Sequence, residues 1–193
     1  MRAPAAVLLA MCALVLATLC ARADASGLDE VMGLLALRRH GKVEFVEQQF
    51  QSALKRPLES SGEMTYQAPD RLEKHTFKPR EESLLLEGGL LTVQRGHSRH
   101  VVDLRSYPQA LPFIESIRAT LAGDRAALER VFRVKFSGAV DLWSITLEPL
   151  DPKAAKTVAQ VEIYGAKDQL RRVEIRQPDG DRSLMTLRPA AGS

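Results

Sequence analysis

From Leu58 to Val102 the chain is cut into short apolar runs by turn-forming residues at a spacing of about ten, and this rhythm constrains the fold more than any other feature. Ser60-Ser61-Gly62 precedes Met64 and Tyr66, Ala68-Pro69-Asp70 precedes Leu72, Lys78-Pro79-Arg80 precedes Ser83 to Leu86, and Gly88-Gly89 precedes Leu90 to Val93. Runs this short cannot be stable helices, and turns this close together allow only neighbouring strands to pair, so the pattern predicts an antiparallel meander. Glu87-Gly88-Gly89 is the clearest hairpin, because paired glycines accept the positive φ that tight turns require. His97 and Ser98 are expected to turn the next hairpin into His100 to Leu104.

Around the meander the period changes. Leu28 to Arg39 carries Val31, Leu34 and Leu35 at helical spacing with Asp29 and Glu30 in the first turn, where the helix dipole favours acidic groups. After Gly41, the stretch Lys42 to Leu54 alternates around Val43, Phe45 and Phe50 and predicts a strand, with an extension of the helix as the alternative. Pro108 to Leu121 returns to helical spacing at Leu111, Ile114, Ile117 and Leu121. Gly123-Asp124 divides it from a short helix, Arg125 to Arg130, for which Asp124 is a natural N-cap. Strands resume over Val131–Ser137, Val140–Glu148, Val158–Tyr164, Leu170–Arg176 and Arg182–Leu187. About eleven strands are expected. The fold class is mainly β with a helical lid: an antiparallel sheet curled into an unclosed barrel, with helices closing what the sheet leaves open.

The first residues belong to a different chemistry. Arg2 is followed by an apolar run from Ala5 to Leu19 and then Ala21-Arg22-Ala23, the A-x-A form of a signal-peptidase site. The run is shorter than the roughly 20 residues a spanning helix needs. Residues 1–23 are therefore expected to be an export signal, cleaved after Ala23 or, two residues on, after Ala25. Cys20 follows bulky Leu19, where a lipobox has a small residue, which argues against lipidation. Cys12 and Cys20 are the only cysteines, and both leave with the signal. The mature chain, residues 24–193, is expected to be one domain without disulfides, located in the periplasm and monomeric. Losing Arg2 and Arg22 takes the 27 basic residues to 25 against 24 acidic ones, and with 5% aromatic content no basic, aromatic-interleaved stripe points to nucleic acid.

No nucleophile elbow, phosphate loop or dinucleotide fingerprint is present, and neither catalysis nor a cofactor is expected. Of the four histidines, His97 and His100 lie three apart in a turn, a spacing that lacks the third ligand a metal would need.

The order of segments resembles the LolA-like lipoprotein carrier family. The resemblance rests on Phe45-Val46-Glu47-Gln48-Gln49-Phe50, Ser61-Gly62-Glu63-Met64-Thr65-Tyr66, Ala68-Pro69-Asp70-Arg71-Leu72, Leu85 to Val93 around Gly88-Gly89, and the Gly165 to Leu187 strands with their Pro178-Asp179-Gly180 turn. It implies an apolar hollow between sheet and helices that holds acyl chains of a lipoprotein or other lipid. It also implies an inner-membrane transporter as donor and an outer-membrane acceptor. The expected lining is Phe45, Met64, Tyr66, Leu72, Leu84, Leu86, Val93, Trp143, Ile145, Val161, Ile163, Val173 and Ile175, with Leu111, Ile114, Ile117 and Leu121 on the lid. The same residues filled by one another would make a plain core, and the chain would then be an interaction or sensor module without cargo. One departure stands out: the family's arginine before the proline matched to Pro69, which latches the lid, is Ala68 here. Arg71 is close in sequence, but strand spacing directs it elsewhere.

Overall fold

A computed structural model describes residues 26–106 and 111–190, with the side chains of residues 111–113 also outside the description. The expected signal segment and cleavage site, the Pro108 start of the lid helix and the tail beyond Ala190 lie outside the described residues. Among the described residues eleven strands form one antiparallel sheet in the order β6-β5-β4-β3-β2-β1-β11-β10-β9-β8-β7. In the first half these are β1 (His40–Phe50), β2 (Leu58–Gln67), β3 (Arg71–Lys78), β4 (Glu82–Glu87), β5 (Leu90–Arg95) and β6 (Ser98–Asp103). The second half holds β7 (Phe132–Ala139), β8 (Leu142–Pro149), β9 (Gln160–Ala166), β10 (Gln169–Arg176) and β11 (Arg182–Pro189).

The topology explains the open barrel. The chain enters at the centre of the sheet on β1, meanders outward to one edge at β6, and must then reach the opposite edge at β7 before meandering back to β11 beside β1. Helices α2 (Leu111–Ala122) and α3 (Arg125–Val131) make that traverse. An element that joins the two edges lies between them, so the sheet curls without the edges pairing. The first helix, α1 over residues 26–37, precedes β1 and packs on the same concave face. The segment after Gly41 is thus strand, not an extension of α1, and it ends at Phe50 instead of Leu54. Among the described residues no helix is long and apolar enough to cross a membrane.

Turn chemistry places most of the register. Gly88 and Gly89 have φ of 57° and 76° between β4 and β5, as the paired glycines required. The β5–β6 turn is Gly96-His97, with Gly96 at φ 56°, and Ser98 already belongs to β6. Asp124 caps α3 by accepting from Ala127 N at 2.8 Å. Ser60-Ser61-Gly62 is a correction: these residues lie inside β2, not in a turn before it. The glycine is needed there for another reason. The β2–β3 register shifts between Ser61 and Gly62, and a Cβ at Gly62 would stand 1.9 Å from the His75 carbonyl oxygen. Turn-type residues in a strand here mark close backbone approach at a bulge.

The core occupies one half of the concave face. Leu28, Val31, Met32 and Leu35 of α1 and Leu128 of α3 pack against Phe45, Trp143, Ile145, Leu147, Val161 and Ile163, all buried. Trp143 lies directly on Gly165, where a Cβ would be 2.1 Å from its ring, and donates its indole N–H to Lys167 O at 3.0 Å. The α2–α3 corner is seated on α1 in the same way: Gly123, at φ 65°, would place a Cβ 2.2 Å from Met32 O.

Candidate functional site: an apolar hollow beneath the lid helix

Among the described residues the other half of the concave face is not filled. Residues of α2, of β1 to β5 and of β10 and β11 enclose a cavity of about 430 Å³, within the range of small-molecule sites. Alternation along each strand supplies its wall. Met64 and Tyr66 come from β2, Leu72 from β3, Leu84 and Leu86 from β4, and Val173 and Ile175 from β10. Ile114, Ile117 and Leu121, at helical spacing on α2, form the ceiling. Ten of the expected lining residues are therefore brought together.

Five others are placed in the packed core, and these expectations are corrected. Phe45, Trp143, Ile145, Val161 and Ile163 are each at most 1% exposed and lie in the cluster that α1 covers. Period-two spacing does not separate the two groups, since Trp143-x-Ile145 on β8 and Leu84-x-Leu86 on β4 both set apolar residues on one face. The difference lies in what stands opposite: the dense apolar stripe of α1 fills one half, while α2 stands off the other. Val93 is half-buried on β5 outside the cavity wall. Leu111 opens α2, and its side chain is outside the described residues.

The sequence reading missed Leu35, Val43, Leu91, Met185 and Leu187 as lining, and also a polar cluster in the wall. Lys74 Nζ donates to Glu47 Oε2 at 2.6 Å, Ser183 Oγ donates to Glu47 Oε1 at 2.7 Å, and Gln49 Nε2 donates to the same oxygen at 3.3 Å. Strand alternation carried the signal: Val43-x-Phe45-x-Glu47 and Leu72-x-Lys74 each keep one face, so the charged residue follows the apolar ones inward. Burial by itself would push the Glu47 carboxyl up, but the Lys74 charge and the hydrogen bonds from Lys74, Ser183 and Gln49 outweigh it, holding the group below its ordinary 4.5. A second polar pair, Arg38 with Asp168 at 3.5 Å, also borders the cavity.

No side chain at position 68 can tie the lid to the barrel, and Arg71 does not substitute. It donates to both carboxylate oxygens of Glu87, at 3.1 and 3.0 Å, on the hairpin beside it. Tyr66, at the lid end of the wall, donates its hydroxyl to Pro69 O at 3.4 Å. Burial pushes its phenol up against the opposing charges of Arg118 and Arg39.

The profile of the family described as outer membrane lipoprotein carrier protein LolA-like matches residues 20–193. The chain belongs to the LolA-like family. Similar solved structures include a LolA superfamily protein from Nitrosomonas europaea, at 10% identity over 86% of this chain and 91% of that one with a TM-score of 0.45. The Mycobacterium tuberculosis lipoprotein LppX is 13% identical over 86% of this chain and 94% of its own, with a TM-score of 0.45. LprF from Mycobacterium bovis is 14% identical over 88% and 96%, with a TM-score of 0.38. Among curated proteins none matches the sequence. This LolA-like chain thus combines an open barrel and helices with an ion pair in the cavity wall.

Proposed function

We propose that this protein is a periplasmic carrier: residues 1–23 direct export, and the mature domain shields acyl chains of a lipoprotein or other lipid while they pass from the inner to the outer membrane. The observation that carries the reading is the unfilled, apolar-walled hollow beneath α2 in a member of the LolA-like family. A packed domain of this size has no reason to leave such a space open, since empty volume forfeits dispersion contacts and weakens the fold. An acyl chain supplies those contacts. Burial of methylene groups contributes about 0.8 kcal/mol each, so a chain of roughly 16 carbons offers about 12 kcal/mol gross before the costs of ordering it.

The same arithmetic requires a way to let go. The ceiling rests on one helix of twelve residues, α2, whose Ile114, Ile117 and Leu121 are only half-buried and whose far end is fixed where Gly123 meets α1. Swinging α2 about that corner would open the hollow; it would withdraw Ala119 from the core cluster and leave the packing of α1 on the sheet in place. In this reading donor and acceptor are an inner-membrane transporter and an outer-membrane receptor that engage the lid side, and with no arginine at position 68 closure depends on apolar contacts.

The deciding experiment is native mass spectrometry with lipid extraction on the mature protein taken from the periplasm of its host. Stoichiometric lipid or lipoprotein supports the carrier and names the cargo. A reproducibly empty protein that also excludes added acyl chains overturns it, and an interaction module becomes the better account.

A further inference from the structure

Within the hollow, away from the Arg38–Asp168 pair at its border, the wall holds one ion pair among apolar side chains. The two partners differ in what they have left to offer. Glu47, 7% exposed, accepts from Lys74, Ser183 and Gln49, so its carboxylate is committed to the protein. An ammonium has three N–H donors. Lys74 gives one to Glu47 and rests a second side against the Phe45 ring, its Nζ 4.7 Å from the ring centroid. Among the described residues nothing accepts from the third, and 20% of the lysine side chain remains exposed where it lines the cavity.

The position of Lys74 in the sheet gives this donor a direction. Register sets it beside Met64 and Leu84, with Tyr66, Leu72 and Leu86 in the next row, all in the cavity wall beneath α2. On the other side the next row is Gly62, Thr76 and Glu82, the last paired with Arg95. The wall therefore passes from apolar to polar at Lys74. A molecule lying along it would be greasy on the Leu72 side and would need an oxygen at the lysine.

We propose that Lys74 is a recognition residue for a neutral acyl carbonyl, the oxygen of an ester- or amide-linked chain whose hydrocarbon lies toward Leu72 and Ile117. This deepens the carrier reading and rests on it. Charge selects the neutral acceptor. Glu47 already balances Lys74, so a bound carboxylate would meet an opposing anion while losing its own water. A carbonyl gives up little hydration and gains a donor that is ionised.

The test loads the mature protein with an equimolar mixture of methyl palmitate, N-methylpalmitamide, palmitate and hexadecyl methyl sulfide, whose thioether sulfur is only a weak acceptor. Free lipid is removed by gel filtration, and what the protein retains is extracted and quantified. Ester and amide should each exceed the thioether by about tenfold, the effect of one hydrogen bond from a charged donor, and palmitate should not exceed them. Glu47→Gln keeps the lysine and removes its counter-charge, and should raise the palmitate share about tenfold. Glu47→Gln with Lys74→Met, which strands no charge, should make ester and thioether equal. Equal retention of ester, amide and thioether by the wild-type protein overturns the carbonyl site while leaving the carrier intact, as does an ester preference that survives the double substitution. If no lipid is retained at all, the carrier reading itself falls and this inference with it.

Discussion

Lys74 Nζ stands 2.6 Å from Glu47 Oε2, across β2, in the wall of a cavity whose neighbouring side chains are hydrocarbon. The pair joins the first strand of the sheet to the third and, through Ser183, to the last. It is a polar staple in the wall of the cavity, where apolar packing across the space does not hold the strands together.

Removing one partner should therefore be worse than removing both. Lys74→Met leaves a buried carboxylate without its cation and should cost about 3 kcal/mol in urea denaturation. Adding Glu47→Gln should recover most of that loss, because the remaining amide can still pair with Ser183. A double variant as unstable as the single one would show that Lys74 contributes mainly through its packing on Phe45.

The same pair predicts a pH dependence. The folded Glu47 carboxyl titrates below its ordinary 4.5, so its contribution is complete above that value and is lost as pH falls through the lower folded one. Glu47→Gln should lose less stability than the wild-type protein between pH 5 and pH 3 in matched denaturant titrations, whatever its stability at pH 7. Parallel acid profiles would count against the pair.

Two polarity reversals should separate core from cavity. Ile145 is fully buried beneath α1, so Ile145→Glu should unfold the domain, seen as loss of cooperative melting by circular dichroism. Ile117 is half-buried on α2 over the hollow, so Ile117→Glu should melt cooperatively within a few degrees of wild type and retain far less lipid. Similar melting of both variants would erase the division of the concave face.

That division marks the limit of what the residues disclosed. The strand rhythm, the Gly88-Gly89 hairpin and the Asp124 cap are local chemistry, written in a few adjacent residues, and were legible. Whether Ile145 or Leu84 faces a cavity is not local. Both sit on apolar strands, and what distinguishes them is whether α1 or α2 stands opposite. Gly62 shows the same limit in reverse: beside two serines it has the composition of a turn, yet it is set by the His75 carbonyl across the sheet. Glu47 and Lys74 were within reach of alternation alone, but their charge pointed outward by habit.

The Gly62 contact is itself testable. Gly62→Ala would put a methyl group 1.9 Å from the His75 carbonyl oxygen, backbone that a side-chain rotation cannot relieve. It should cost at least about 2 kcal/mol, as overpacking with backbone shift does, and should speed hydrogen exchange at amides along β2 and β3. Gly88→Ala, where no atom lies within 4 Å but φ is 57°, should cost less, about 1 kcal/mol, through backbone strain alone. Equal costs would mean that the bulge relaxes freely.

If the hollow exists for cargo, filling it should improve the fold and damage the function. Leu84 is half-buried in the wall on β4, beside Lys74 and Val93 in register, with open space in front of it. Leu84→Trp adds apolar volume to that space without entering the packed core. Cavity-filling changes commonly raise stability by about 0.5–2 kcal/mol, and the variant should shift its urea midpoint upward while retaining much less of an added acyl chain. A variant that is destabilised, or that binds as before, would mean that the wall is already closed around Leu84, and the open volume would then lie elsewhere along the sheet.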